Sequence, residues 1–165
     1  FLAISSDLLI TQLNQNPSTF AWQFAIVGVG SLTGSFISAR LSLRLGINRV
    51  IKLGILITIV SSLTFFLLAF NGVFTAIAII APFTIQRIGD AMISAQSMAG
   101  AISPFPERAG SASSLLGFFR QMTGAAVAIL VGYCADGTSL PMAVAFLFAG
   151  LIPAVIYIYF RKEIR

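Results

Sequence analysis

Arg87 and Asp90 stand three residues apart in IAPFTIQRIGDAMISAQSMAG, residues 80–100, a stretch with no other charge. Arg120, followed by Gln121, lies in a second such stretch, and Asp7 in a third. A carboxylate can take up and release a proton. A guanidinium keeps its charge and grips carboxylates or phosphates with a planar fork of donors. Other chemistry is poorly provided for. The chain has no histidine and one cysteine, Cys134, which excludes an internal disulfide and argues against a His/Cys metal centre. No Ser/His, Cys/His or multi-carboxylate constellation supports an enzyme. What these residues can do is hold a small molecule or pass a proton.

The surroundings decide which. The 165 residues are 58% hydrophobic and 9% charged. A soluble domain carries roughly a quarter charged residues, so this chain cannot cover a water-exposed surface. The class is all-α integral membrane. The net charge of +5 then reads as an excess of Lys and Arg at one membrane face rather than a nucleic-acid footprint. The chain opens on Phe1 within an apolar run, so an upstream part is expected.

A membrane helix needs about 20 mainly apolar residues. Turn signals divide the chain into spans at about 1–13 (truncated), 20–39, 50–70, 73–101, 109–133 and 141–160. The breaks are NQNPST, the Arg40–Lys52 segment, Asn71-Gly72, SPFPER and ADGTSLP. Arg40, Arg44, Arg49, Lys52, Arg108, Arg161, Lys162 and Arg165 all fall on alternate turns. That side, with the C-terminus, is expected to be cytoplasmic.

The two remaining positive residues are inside spans. At 1.5 Å per residue, Asp90 lies roughly 18 Å and Arg87 roughly 22 Å from the inner end of their helix, and Arg120 roughly 15 Å from the inner end of its own. All three fall in the middle of a layer about 30 Å thick. An ionised side chain there costs at least about 2.5–3.5 kcal/mol, so these groups must face helices or water. Arg87 and Asp90 share a helix face, and Asp90 and Arg120 are expected to pair. One reading is a buried ion pair that locks two helices. The other is a polar cavity, supported by Gln86, Ser94, Gln96, Ser97, Gln121 and Thr123 on the same helices. Asp7 is either a cavity carboxylate or an interfacial residue.

Gly30, Gly34 and Ser38, and again Gly124, Ala128 and Gly132, recur every four residues, a spacing that lets helices approach closely. Pro82 and Pro153 stand inside spans and can bend them. The charge-free spans 53–70 and 141–160, with their aromatics, read as lipid-facing.

PFPERAGSASSLLGFFRQMTGA, residues 104–125, between GDAMISAQSMAGAISP and ADGTSLPMA, resembles the C-terminal half of major facilitator transporters, and within them the Bcr/CflA branch of drug:proton antiporters. The residues carrying the likeness are Phe105, Pro106, Ala109, Gly110, Ala112, Ser113, Leu115, Gly117 and Arg120. Arg44, Gly46 and Arg49 resemble a degenerate copy of the superfamily's basic cytoplasmic loop signature, with Leu43 where the acidic residue would stand. Asp7 replaces a frequent proline of the branch, and Asp90 a small or apolar residue; both departures point toward a different substrate.

The resemblance implies a six-helix half of a twelve-helix fold, helices seven (partial) to twelve, working with an N-terminal half that is missing here. Each half is two inverted three-helix units, whose first helices line a central cavity. Asp7, Arg87 and Asp90 would lie on such helices, and Arg120 and Gln121 on a flanking one. The implied activity is proton-coupled efflux of small amphipathic drugs across a bacterial inner membrane by alternating access, driven by the proton gradient without a cofactor. The partners would be substrate, protons, the lipid bilayer and the N-terminal half. Export of a metabolite such as a sugar, nucleoside or amino acid is the alternative, and a non-transporting sensor a weaker one.

Overall fold

The computed structural model describes residues 16–73, 75–104, 106–133 and 140–160. The expected helix at 1–13, with Asp7, and the basic residues 161–165 lie outside them. The described residues form α1 (Pro17–Leu45), α2 (Ile47–Phe70), α3 (Ala76–Ile102), a 3-10 turn (Pro106–Arg108), α4 (Ala109–Tyr133) and α5 (Leu140–Phe160). Helices α1 to α4 are long and apolar enough to cross a membrane, and Ala143–Tyr159 is an apolar stretch within α5. The protein is an all-helical, multi-pass membrane protein.

Local chemistry sets the helix ends. Pro17 starts α1, where its missing N–H is no loss. Thr75 caps α3 by accepting from the Ala78 N–H at 3.2 Å. Asn71-Gly72 closes α2: Gly72 adopts φ 68, its N–H donates to the Ala69 carbonyl, and the Val73 N–H donates to Leu68. This is the Schellman pattern, in which glycine fits the left-handed position.

The break between the first two full helices is narrower than charge placement suggests. Instead of a loop over 40–49, α1 runs to Leu45 and α2 starts at Ile47, with Gly46 alone between them. Gly46 takes φ 77 and donates its N–H to Ser42. Arginine is a good helix former, so the helix continues past the point where the sequence stops being apolar. Arg40 places its guanidinium over the Phe36 ring, 4.9 Å from the centroid.

Helix α3 is the centre of the bundle, packed between α1 and α2, and α5 packs on α2, reaching α3 through Phe146 and Phe83. A Cβ on Gly30 would meet the Thr84 carbonyl oxygen at 2.8 Å, and one on Gly34 would strike Ile88. Contacts that advance together along both chains make α1 and α3 parallel. Gly54 meets Ile93 while Thr58 meets Gly89, so α2 runs against α3. The α1–α2 and α3–α4 turns therefore share one end of the bundle, which gathers Arg40, Arg44, Arg49, Lys52 and Arg108.

The aromatics of 53–83 and 141–160 divide, rather than all facing outward. Phe65, Phe83 and Phe146 are buried and cluster, with ring centroids 5.5 Å (65–83), 5.1 Å (65–146) and 4.1 Å (83–146) apart. Phe70, Phe148 and Tyr159 are exposed. A charge-free helix still needs packing partners, and flat rings supply the dispersion contacts that hold helices together in lipid.

Candidate functional site: a charged cluster between α3 and α4

Three faces of α3 do different work. Thr84, Ile88 and Ala91 meet the small residues of α1; Pro82, Gly89 and Ile93 meet α2. Arg87, Asp90 and Ser94, at i, i+3 and i+7, share the third face; Ser94 on it meets Arg120 of α4, and the Arg87 Cβ borders Gly30 of α1. Asp90 is partly buried, and both Arg87 and Arg120 lie near enough to act on its charge through space, Arg87 the more strongly.

The expected Asp90–Arg120 ion pair does not form. Arg120 Nη1 donates to Ser94 Oγ at 2.8 Å instead. Ser94 is one turn nearer than Asp90 to the inner end of α3, and Arg120 approaches from that end along α4, so the hydroxyl is the acceptor it meets. Arg87, Asp90 and Arg120 are thus brought together as an open cluster. Gln121 sits about 100° around the helix from Arg120 and, like it, is exposed. Thr123 bonds to the Phe119 carbonyl of its own helix.

Other polar residues are absorbed by packing. Gln96 is buried and donates from Nε2 to Ser38 Oγ at 2.8 Å and to the Ser38 carbonyl at 3.3 Å. Ser38 Oγ donates in turn to the Met92 carbonyl at 3.4 Å. Ser61 Oγ donates to the Pro82 carbonyl across α2 and α3, supporting the backbone beside the proline. Gln86 is 3% exposed and its Oε1 has no partner among the described residues.

The basic loop residues occupy one tight corner. Arg44 ends α1, Gly46 makes the turn, and Arg49 lies in the first turns of α2; all are exposed. The glycine is required there by its positive φ.

The family model of the Major Facilitator Superfamily matches residues 1–164. The chain belongs to the major facilitator superfamily. It has no significant match among curated proteins or among solved structures. Members of the superfamily are transporters, and the apolar helices, with mid-span charges only on α3 and α4 among the described residues and the other basic residues gathered at one end of the bundle, fit that class. The Ser38–Gln96 clasp was missed at the sequence level. Its signal was present, since Ser38 continues the Gly30–Gly34 spacing, but one sequence cannot show which helix a small residue meets.

Proposed function

We propose that this chain is the C-terminal half of a proton-coupled exporter of small amphipathic compounds, of the Bcr/CflA type, in a bacterial inner membrane with its C-terminus cytoplasmic. The N-terminal half would complete a central cavity, and alternating access would rock the halves about it. The proton gradient supplies the energy.

The observation that carries this reading is the Arg87–Asp90–Arg120 cluster. Charges in the middle of spans are expensive, and these are not neutralised by a direct pair. They are tolerable where water or substrate reaches them. Asp90 is the described carboxylate in the cluster; with Asp7 it offers this chain's candidates for exchanging a proton against substrate. Arg44, Gly46 and Arg49 would form the cytoplasmic corner about which the half moves.

The test uses the full-length protein in inverted vesicles, with substrate-induced proton movement as readout. Asp90→Asn is expected to reduce drug-dependent proton flux by about tenfold or more, equivalent to about 1.4 kcal/mol. Wild-type flux in the variant would remove Asp90 from the mechanism. A growth-inhibition panel separates drug export from metabolite export. Absence of any coupled flux would favour a sensor.

A further inference from the structure

The charges of the cluster do not balance. Arg87 and Arg120 act on a single carboxylate, Asp90. Arg120 is bonded to the neutral Ser94 hydroxyl at 2.8 Å, and among the described residues Arg87 has neither an ion pair nor a hydrogen bond. A guanidinium cannot shed its proton. Away from bulk water it therefore needs an anion, and one carboxylate cannot neutralise two guanidiniums.

The described residues leave the surface beside Arg120 uncovered: Gly117 and Gly124 lie about one turn to either side of it, and a Cβ at either would meet no described residue within 4 Å. Leu116 and Phe119, near Arg120 in sequence on the same helix, are apolar and exposed. A charged group flanked by uncovered, greasy surface suits a molecule with an acidic head and an apolar body. Mid-span depth argues against a lipid headgroup as the natural occupant.

We infer that Arg87 and Arg120 form an anion site and that the transported molecule is a small amphipathic acid, its carboxylate held by the two guanidiniums. This rests on the transport reading above and narrows its substrate class. The Arg120–Ser94 bond is the resting contact that the carboxylate replaces, because a hydrogen bond between ionised partners is stronger than one to a neutral hydroxyl. Asp90 offsets one positive charge and weakens binding enough for release.

The test measures binding, so it does not depend on transport. Full-length protein in nanodiscs is titrated calorimetrically with 2-naphthoate, 2-naphthamide and 2-naphthylmethylammonium, which share a ring and differ in charge. Naphthoate is expected to bind about tenfold or more tighter than the amide. Arg87→Gln and Arg120→Gln should each erase that preference, and Arg87→Lys should keep part of it. Equal affinities, a preference for the cation, no binding of any probe, or a preference that survives both glutamine substitutions would overturn the inference. If the glutamine variants do not fold, the wild-type comparison alone decides. Naphthoate preference without coupled flux in vesicles would sink the transport reading and leave the site. Coupled flux of neutral or cationic compounds without naphthoate preference would do the reverse.

Discussion

Arg120 of α4 reaches across to Ser94 of α3, Nη1 to Oγ, at 2.8 Å. No described side chain of α4 is fully buried and those past Gly117 are exposed, so this bond matters more to the helix than its energy suggests. Ser94→Ala should cost only about 1 kcal/mol of stability and yet loosen α4. With Cys134 replaced by serine, spin labels at exposed Ala95 and Ala125 should report a broader distance distribution in the Ser94→Ala protein. An unchanged width would show that the bond does not hold α4 in place.

Gly34 presents a sharper test of packing. Its missing side chain leaves space already taken by the Ile88 backbone and by Ala91. Gly34→Leu must push α1 off α3, and overpacking of this kind costs about 1–3 kcal/mol. Gly28, where a Cβ meets nothing within 4 Å, is the control: Gly28→Leu should leave the thermal midpoint in detergent almost unchanged. Equal losses at both positions would mean that the α1–α3 contact is not the tight one.

These two cases show what the sequence carries and where it stops. Spacing by four marked Gly30, Gly34 and Ser38 as a packing stripe, and the apolar runs marked the spans, because lipid imposes length and composition on every helix alike. The same spacing at Gly124, Ala128 and Gly132 marks a stripe that meets no described neighbour, because periodicity records what a helix offers and not what lies opposite. Charge fails for a related reason. Arg40 and Arg44 mark the end of an apolar span but lie inside α1, since a helix can leave the membrane without ending. Arg87 and Asp90 were placed correctly on one face by their spacing. The choice of Ser94 over Asp90 by Arg120 depends on how α4 slides along α3, and no local pattern encodes that.

Gln86 raises a different question, because its side-chain oxygen is buried without a partner among the described residues. An unmet acceptor costs about 1–3 kcal/mol. Gln86→Met keeps the volume and removes the polar atom, so it should raise the thermal midpoint of the full-length protein by an amount corresponding to about 1 kcal/mol. A lower midpoint would show that Oε1 finds a donor in the membrane, with water from the cavity the natural source.

The Ser38–Gln96 contact can be isolated by a double-mutant cycle. Gln96 donates to both oxygens of Ser38, and the serine hydroxyl donates onward to Met92. Each single change therefore leaves a fallback: Ser38→Ala keeps the serine-position carbonyl as acceptor, and Gln96→Met keeps the Ser38–Met92 bond. Interhelical hydrogen bonds in membranes average about 0.6 kcal/mol and reach about 1.7 kcal/mol. The fallbacks place the coupling here near the average rather than the maximum. A stability cycle over wild type, Ser38→Ala, Gln96→Met and the double variant should give about 0.6 kcal/mol of coupling. A value of zero would mean that α1 and α3 are held by the glycine contacts alone, and that the buried amide adds no strength to the pair.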